Sequence, residues 1–182
     1  MEGSRLPRSR ALLALILVLL VAPGAAAPYS IEAVKAAYLF RFASYVEWPA
    51  SAADAPFVFG VLGAQDVGVH LERLTTGMRV RGRPAEVRQV RSPADLEGLQ
   101  VLYVGPRWFH GSRGLRGATA NKPILLVTDH EDGLAGGAVI NFIETERNVR
   151  FEISVQAADR GGLRIDSALL AVAARVETRK QE

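Results

Sequence analysis

Four potential metal ligands stand in a row at Asp129, His130, Glu131 and Asp132. Adjacent residues on a loop seldom turn their side chains onto one ion, and the other histidines, His70 and His110, sit in unrelated segments. A solvated turn is the favoured reading, and no metal is expected. Gly60, Gly63 and Gly68 follow an apolar run in the manner of a phosphate-cradling turn. Their spacing is not G-x-G-x-x-G and no acidic residue stands where a ribose would need one, which disfavours a nucleotide site. No serine lies in a G-x-S-x-G setting and no carboxylate pair can be singled out for acid–base work. The chain has no cysteine, so thiol catalysis, thiolate metal sites and disulfides are excluded together. Neither an enzyme nor a cofactor is expected.

The remaining polar candidates point to contact rather than catalysis. Arg79, Arg81 and Arg83 form the one basic cluster, read as a solvated turn with a protein or lipid-headgroup contact as the alternative. Glu152 lies between Arg150 and Ser154 on a strand that reads as open on one face, where a partner could dock; a solvated or arginine-paired carboxylate is the competing reading. Leu170 and Ala174 fall off the main apolar stripe of the C-terminal segment, as a dimer or partner surface or as packing. Trp48 is weighed as a ring that closes the core rather than a ligand platform. Asn141, polar within AVINFI, is expected to satisfy backbone groups.

The stretch that must position these groups is 34–49, VKAAYLFRFASYVEWP. Ile31, Val34, Tyr38, Phe42 and Tyr45 recur at helical spacing, while Ala37, Leu39, Phe40, Ala43 and Val46 fill much of the remaining circumference. A helix apolar on almost every side is a buried one. Glu32, Lys35, Arg41, Ser44 and Glu47 leave a narrow strip for water, and Trp48 and Pro49 end the helix because the residue before a proline is pushed out of the helical region.

Residues 57–62 (FVFGVL) form an unbroken apolar run and predict a buried strand. Asp66 is placed to cap a helix that buries Val67, Leu71 and Leu74, and Gly77 closes it. Residues 79–84 predict a turn before a half-exposed strand at 85–90, Ser92 and Pro93 open a short helix, and 101–104 and 124–128 are further buried strands. Strands alternating with helices imply a mainly parallel sheet covered on both faces. Residues 138–144 and 149–155 are joined too briefly to be anything but antiparallel. Val149, Phe151, Ile153 and Val155 alternate with Arg150, Glu152, Ser154 and Gln156, the period of a strand buried on one face. Ile165, Leu169, Val172 and Val176 predict a closing helix capped near Asp166 or Ser167. The expected fold class is α/β: a single compact domain with a mainly parallel sheet flanked by helices and a C-terminal antiparallel strand pair.

Residues 1–27 read as a secretory signal peptide. Arg5, Arg8 and Arg10 precede an apolar run at 11–22, and small residues allow cleavage after Ala26 or Ala27. The run is well short of the roughly 20 residues that a membrane span needs. Residues 28–182 then form the domain, long enough to bury about 70% of its unfolded surface. Three of the 22 Lys and Arg and one of the 19 Asp and Glu fall in the leader, so the remainder is close to neutral and gives no argument for nucleic acid.

Taken in order, VKAAYLFRFASYVEWP, FVFGVLG, GRPAEVRQV, GGAVINFIETERNVRFEIS and AADRGGLRIDSALLAVAARV resemble the YfiR-like (YfiR/HmsC-like) family of exported bacterial proteins across essentially the whole of 28–182. Within that pattern Glu47, Trp48, Pro49, Asn141 and Phe151 are the signature positions. The resemblance implies a periplasmic regulatory domain that tends to form homodimers. It also implies that the domain represses a membrane-anchored diguanylate cyclase by direct binding, holding down cyclic-di-GMP synthesis and biofilm formation. The candidate contact residues, read from the open face of the last strand and the off-stripe side of the C-terminal segment, are Arg150, Glu152, Ser154 and Leu170. Family members commonly carry cysteines; this chain has none, so redox control through disulfides cannot operate in it. The alternative function is a periplasmic small-ligand sensor reporting to a histidine kinase or an outer-membrane receptor.

Overall fold

Helix α1 (Ile31–Tyr45) begins at Ser30, whose hydroxyl accepts the Ala33 amide at 3.2 Å, as a serine before a helical run is suited to do. The computed structural model describes residues 30–49, 55–145 and 148–178; the expected signal peptide lies outside them. Helix α1 buries Ala36, Leu39, Phe42 and Ala43 and turns Ala37, Arg41 and Ser44 to water. It stops short of the Trp48–Pro49 signal. β1 (Val46–Glu47) has left the helix to pair antiparallel with β9 (Arg164–Ile165), a contact 34–49 alone does not reveal.

The chain continues through β2 (Phe57–Leu62), α2 (Gln65–Thr75), β3 (Arg79–Val80), β4 (Arg83–Gln89), β5 (Leu99–Val104), α3 (Arg113–Gly117), β6 (Leu125–Thr128), β7 (Ile140–Thr145), β8 (Asn148–Ser154), α4 (Val155–Arg160), β9, α5 (Ser167–Val172) and β10 (Arg175–Glu177). Eight of these strands make one sheet in the order β10-β8-β7-β6-β5-β2-β4-β3. β4, β2, β5, β6 and β7 are mutually parallel, and β7 and β8 pair antiparallel as expected. The chain leaves β2 for β4 on one side and returns to β5 on the other, so the strand order reverses between β2 and β5, where an open α/β sheet forms its crevice.

Several local expectations are corrected. Asp66 lies in the first turn of α2 and does not cap it; Ala64 holds the cap position. Leu74 is exposed, and Thr75 is buried in its place with its hydroxyl on the Leu71 carbonyl. Residues 79–84 are more than a turn: Arg81 (φ 52°) and Gly82 (φ 79°) form a two-residue left-handed connection that suits the twist of the β3–β4 hairpin. The apolar stripe from Ile165 to Val176 is not one helix. It combines β9, the short α5 capped by the Asp166 carboxylate on the Ala168 amide, and β10, because Ala173 turns extended and β10 runs parallel beside β8. Ser154, read as a strand position, also caps the unforeseen α4 by accepting the Ala157 amide at 3.3 Å.

Two cores lie on opposite faces of the sheet. The larger packs α1, α2, α4 and α5 against it, and its centre is aromatic: Tyr38, Phe42, Phe142 and Phe151 have ring centroids 5.1–5.9 Å apart. Fully burying one such ring contributes roughly 1.5–3 kcal/mol. The smaller core sets Leu62, Leu99, Leu102 and Leu126 against Leu96, Phe109 and Leu115 from short helical turns.

Candidate partner surface

Register aligns three polar side chains across the end of the sheet. Asn141 of β7 lies opposite Glu152 of β8, and Glu152 lies opposite Arg175 of β10. The Glu152 carboxylate accepts the Asn141 amide at 2.9 Å and the Arg175 Nε at 2.8 Å, with the other guanidinium nitrogen at 2.6 Å. Arg175 also reaches Glu177 at 2.7 Å. Burial along β8 alternates as expected only from Asn148 to Phe151, and beyond that its second face is not open. Glu152 and Ser154 are both buried, since β10 covers the outer edge and Gly133 packs on the Asn141 amide so closely that a Cβ would collide with it. Sequence reasoning missed this because β10 was absorbed into a helical stripe. Asn141, expected to serve backbone groups, serves Glu152 instead; its Oδ1 has no protein partner.

Several residues near this row stay at the surface. Arg150 is exposed on β8, Arg175 is exposed at the sheet edge, and Val172 of α5 is 66% exposed. Leu170 is half-buried against the larger core. Among the signature positions, Phe151 is buried in the aromatic cluster. Glu47 is exposed and ion-paired with Arg164 across the β1–β9 ladder. Trp48 stands edge-on to Phe57 at 5.1 Å and donates its indole N–H to the Gln100 carbonyl at 3.2 Å. Pro49 is exposed.

The basic cluster keeps Arg79 and Arg81 exposed, as a solvated turn would, but its guanidinium groups are anchored on backbone carbonyls. Arg81 donates to the carbonyls of Ala43 and Val46, Arg83 to those of Ala55 and Pro56, and Arg79 to that of Gly82 at 2.7 Å. Arg81 thus brings a cation to the C-terminal end of α1, where the helix's own last turn has none.

Lys35 departs furthest from the sequence reading. It is buried in α1 rather than wet, and its ammonium bonds both Asp129, at the end of β6, and Glu144 of β7. Burial alone would pull the Lys35 pKa down; the two carboxylates outweigh it and hold it above the ordinary value. Burial, with Asp129 beside it, pushes the Tyr103 phenol well up, so it stays neutral. The loops at the C-terminal edge of the parallel strands bring together His110, His130 and Asp132. Among the described residues no helix is long and apolar enough to cross a membrane.

The sequence matches the YfiR/HmsC-like family over residues 32–174. The chain belongs to that family. YfiR/HmsC-like proteins are periplasmic regulators in cyclic-di-GMP signalling rather than catalysts, and they engage envelope signalling proteins. The match runs from the first turn of α1 to the residue before β10, so it takes in both cores and most of the Asn141–Glu152 row. No curated protein matches the chain. A crystal structure of a conserved domain protein from Vibrio cholerae is similar over 66% of this chain at 16% identity and a TM-score of 0.46. The chain spans 54% of that protein's length, and at this level the likeness adds nothing to the description of the fold.

Proposed function

We propose that residues 1–27 export this domain to the periplasm, where it represses a membrane-anchored diguanylate cyclase by direct contact, as a homodimer. The family match over residues 32–174 carries this reading. It is supported by exposed charge at Arg150 and Arg175 and an exposed apolar side chain at Val172, all on elements around the β10 edge of the sheet. Glu152 and Ser154 hold this edge in place: Glu152 fixes Arg175, and Ser154 starts the helix that follows. Repression is a population shift, in which the domain binds the inactive cyclase more tightly than the active one. Moving the cyclase from 1:99 to 99:1 requires a difference of about 5.5 kcal/mol.

The test is intracellular cyclic-di-GMP in the source bacterium with and without the gene. Deletion is expected to raise it, and only a copy that retains residues 1–27 is expected to restore it. No change on deletion sinks the reading.

A second reading, a small-ligand sensor reporting to a histidine kinase or an outer-membrane receptor, is favoured by a cavity of about 150 Å³. Arg113, Arg116, Lys122 and Arg160 line it and no carboxylate does, so its ligand would be a small anion. Arg116 is buried there with its guanidinium on the carbonyls of Phe109 and Gly136, which do not neutralise its charge.

A further inference from the structure

Sequence spacing argues against a metal at 129–132, because neighbours on one loop do not converge. The fold changes that argument by supplying a residue from elsewhere. His110 follows the short turn Pro106–Trp108 beyond β5, and His130 and Asp132 follow β6; these strands are parallel neighbours, so both loops leave the same edge of the sheet. The ligand atoms of His110, His130 and Asp132 all lie within 4.8 Å of one another. In tetrahedral coordination with bonds of about 2.0–2.2 Å, ligand atoms stand roughly 3.4 Å apart. His110 and Asp132 are exposed, so ordinary side-chain rotation covers the difference.

The His130 ring and the backbone that carries His110 are also held in place. The His130 ring stacks on Phe109 with centroids 4.6 Å apart and planes 12° from parallel, and the His110 ring meets His130 edge-on at 4.6 Å. Phe109 is buried, with the Arg116 guanidinium 3.7 Å over its ring centroid. Its carbonyl accepts both the Ser112 hydroxyl and the Arg116 Nε, so the backbone that presents His110 is fixed. Stacking thus fixes one ring and backbone bonds fix the base of the other before any ligand arrives, leaving only exposed side chains to turn, which lowers the ordering cost of binding.

We propose that His110, His130 and Asp132 form a binding site for a divalent transition metal of the zinc class. Two imidazoles and one carboxylate suit Zn2+, Ni2+ or Cu2+ and are poor ligands for Mg2+ or Ca2+. Three protein ligands leave one position of a tetrahedral ion for water or for a group on a partner. His130 Nδ1 now accepts the Asp132 amide at 3.0 Å. Coordination through that nitrogen exchanges the hydrogen bond for a metal bond and loosens the turn between the two ligands. The site does not depend on the regulatory reading above.

Isothermal titration of the chelator-treated, tag-free protein with Zn2+ tests it, with Mg2+ as the control. One equivalent is expected to bind to wild type, with at least tenfold weaker binding in both His110→Ala and Asp132→Asn; each changes an exposed side chain, and circular dichroism should show the fold intact. Co2+ is expected to give the visible absorption of a four-coordinate nitrogen–oxygen site in wild type and not in His110→Ala. Absence of Zn2+ binding to wild type, or binding unchanged in both variants, overturns the proposal.

Discussion

Glu152 and Arg175 face each other in the parallel register of β8 and β10, with carboxylate and guanidinium 2.6 Å apart and the carboxylate side chain only 9% exposed. The two ends of this pair are unequal, because Arg175 is more than half exposed. Glu152→Lys sets a second cation against Arg175 and strands the Asn141 amide, and is expected to cost about 3–5 kcal/mol. Arg175→Ala leaves the carboxylate its Asn141 bond and some water, and is expected to cost about 1 kcal/mol or less. Urea denaturation of the two variants measures both; equal losses would contradict the asymmetry.

Lys35→Met leaves Asp129 buried without its counter-charge and is expected to cost about 3–5 kcal/mol. Adding Asp129→Leu is expected to return much of that loss, since a well-packed apolar pair replaces a desolvated ionic one. The folded Lys35 pKa is raised above 10.5, so its contribution is complete below that pH and is lost as pH rises through the higher folded value. Wild type should therefore lose stability above pH 10.5 more steeply than Lys35→Met, as read from urea midpoints across that range.

At the reversal of strand order, Gly105 and Gly63 approach each other too closely for a side chain. A Cβ on Gly105 would stand 2.6 Å from the Gly63 carbonyl oxygen, which is backbone and cannot swing aside. Gly105→Ala is expected to cost about 1–3 kcal/mol by overpacking, although its φ of −63° suits alanine. Gly82→Ala has open space around it and loses only the preference for its left-handed φ of 79°. The ratio of the two thermal shifts separates crowding from backbone strain.

If the exposed residues around β10 make the docking surface, Arg150→Glu and Val172→Glu should leave stability within about 0.5 kcal/mol of wild type. Capture of the membrane cyclase should fall at least tenfold, about 1.4 kcal/mol. Pull-down from solubilised membranes, with thermal denaturation as the control, reads both quantities. Full capture by both variants would move the surface elsewhere.

Much of the sheet was legible because its signals are local. The run FVFGVL is β2 from end to end, since a strand buried on both faces has no reason to alternate. The β7–β8 pair followed from the shortness of its connection. The errors fall where a residue's state depends on a distant one. Lys35 carries nothing in its neighbourhood to announce Asp129 or Glu144, and Glu152 carries nothing to announce Arg175. The stripe Ile165, Leu169, Val172 and Val176 mimics a helix because two strands and a short helix happen to place apolar residues at similar intervals. His110 and His130 come together only because β5 and β6 are neighbours, and strand order is not written in either loop.

The inequality of the two cores has a consequence for how the molecule opens. The face covered by α1 holds the aromatic cluster and a fifteen-residue helix. Among the described residues the opposite face is closed by the turns Pro93–Leu96 and Pro106–Trp108, the five-residue α3 and the loop that carries Leu134, with no long helix. Breathing short of global unfolding is therefore cheapest on that side. Amides around 106–120 should exchange with solvent through partial openings while those of α1, β2 and β5 wait for the whole domain. His110 belongs to that segment, where opening must break the bonds to the Phe109 carbonyl, and a bound ion would be felt there as a slowing of hydrogen exchange.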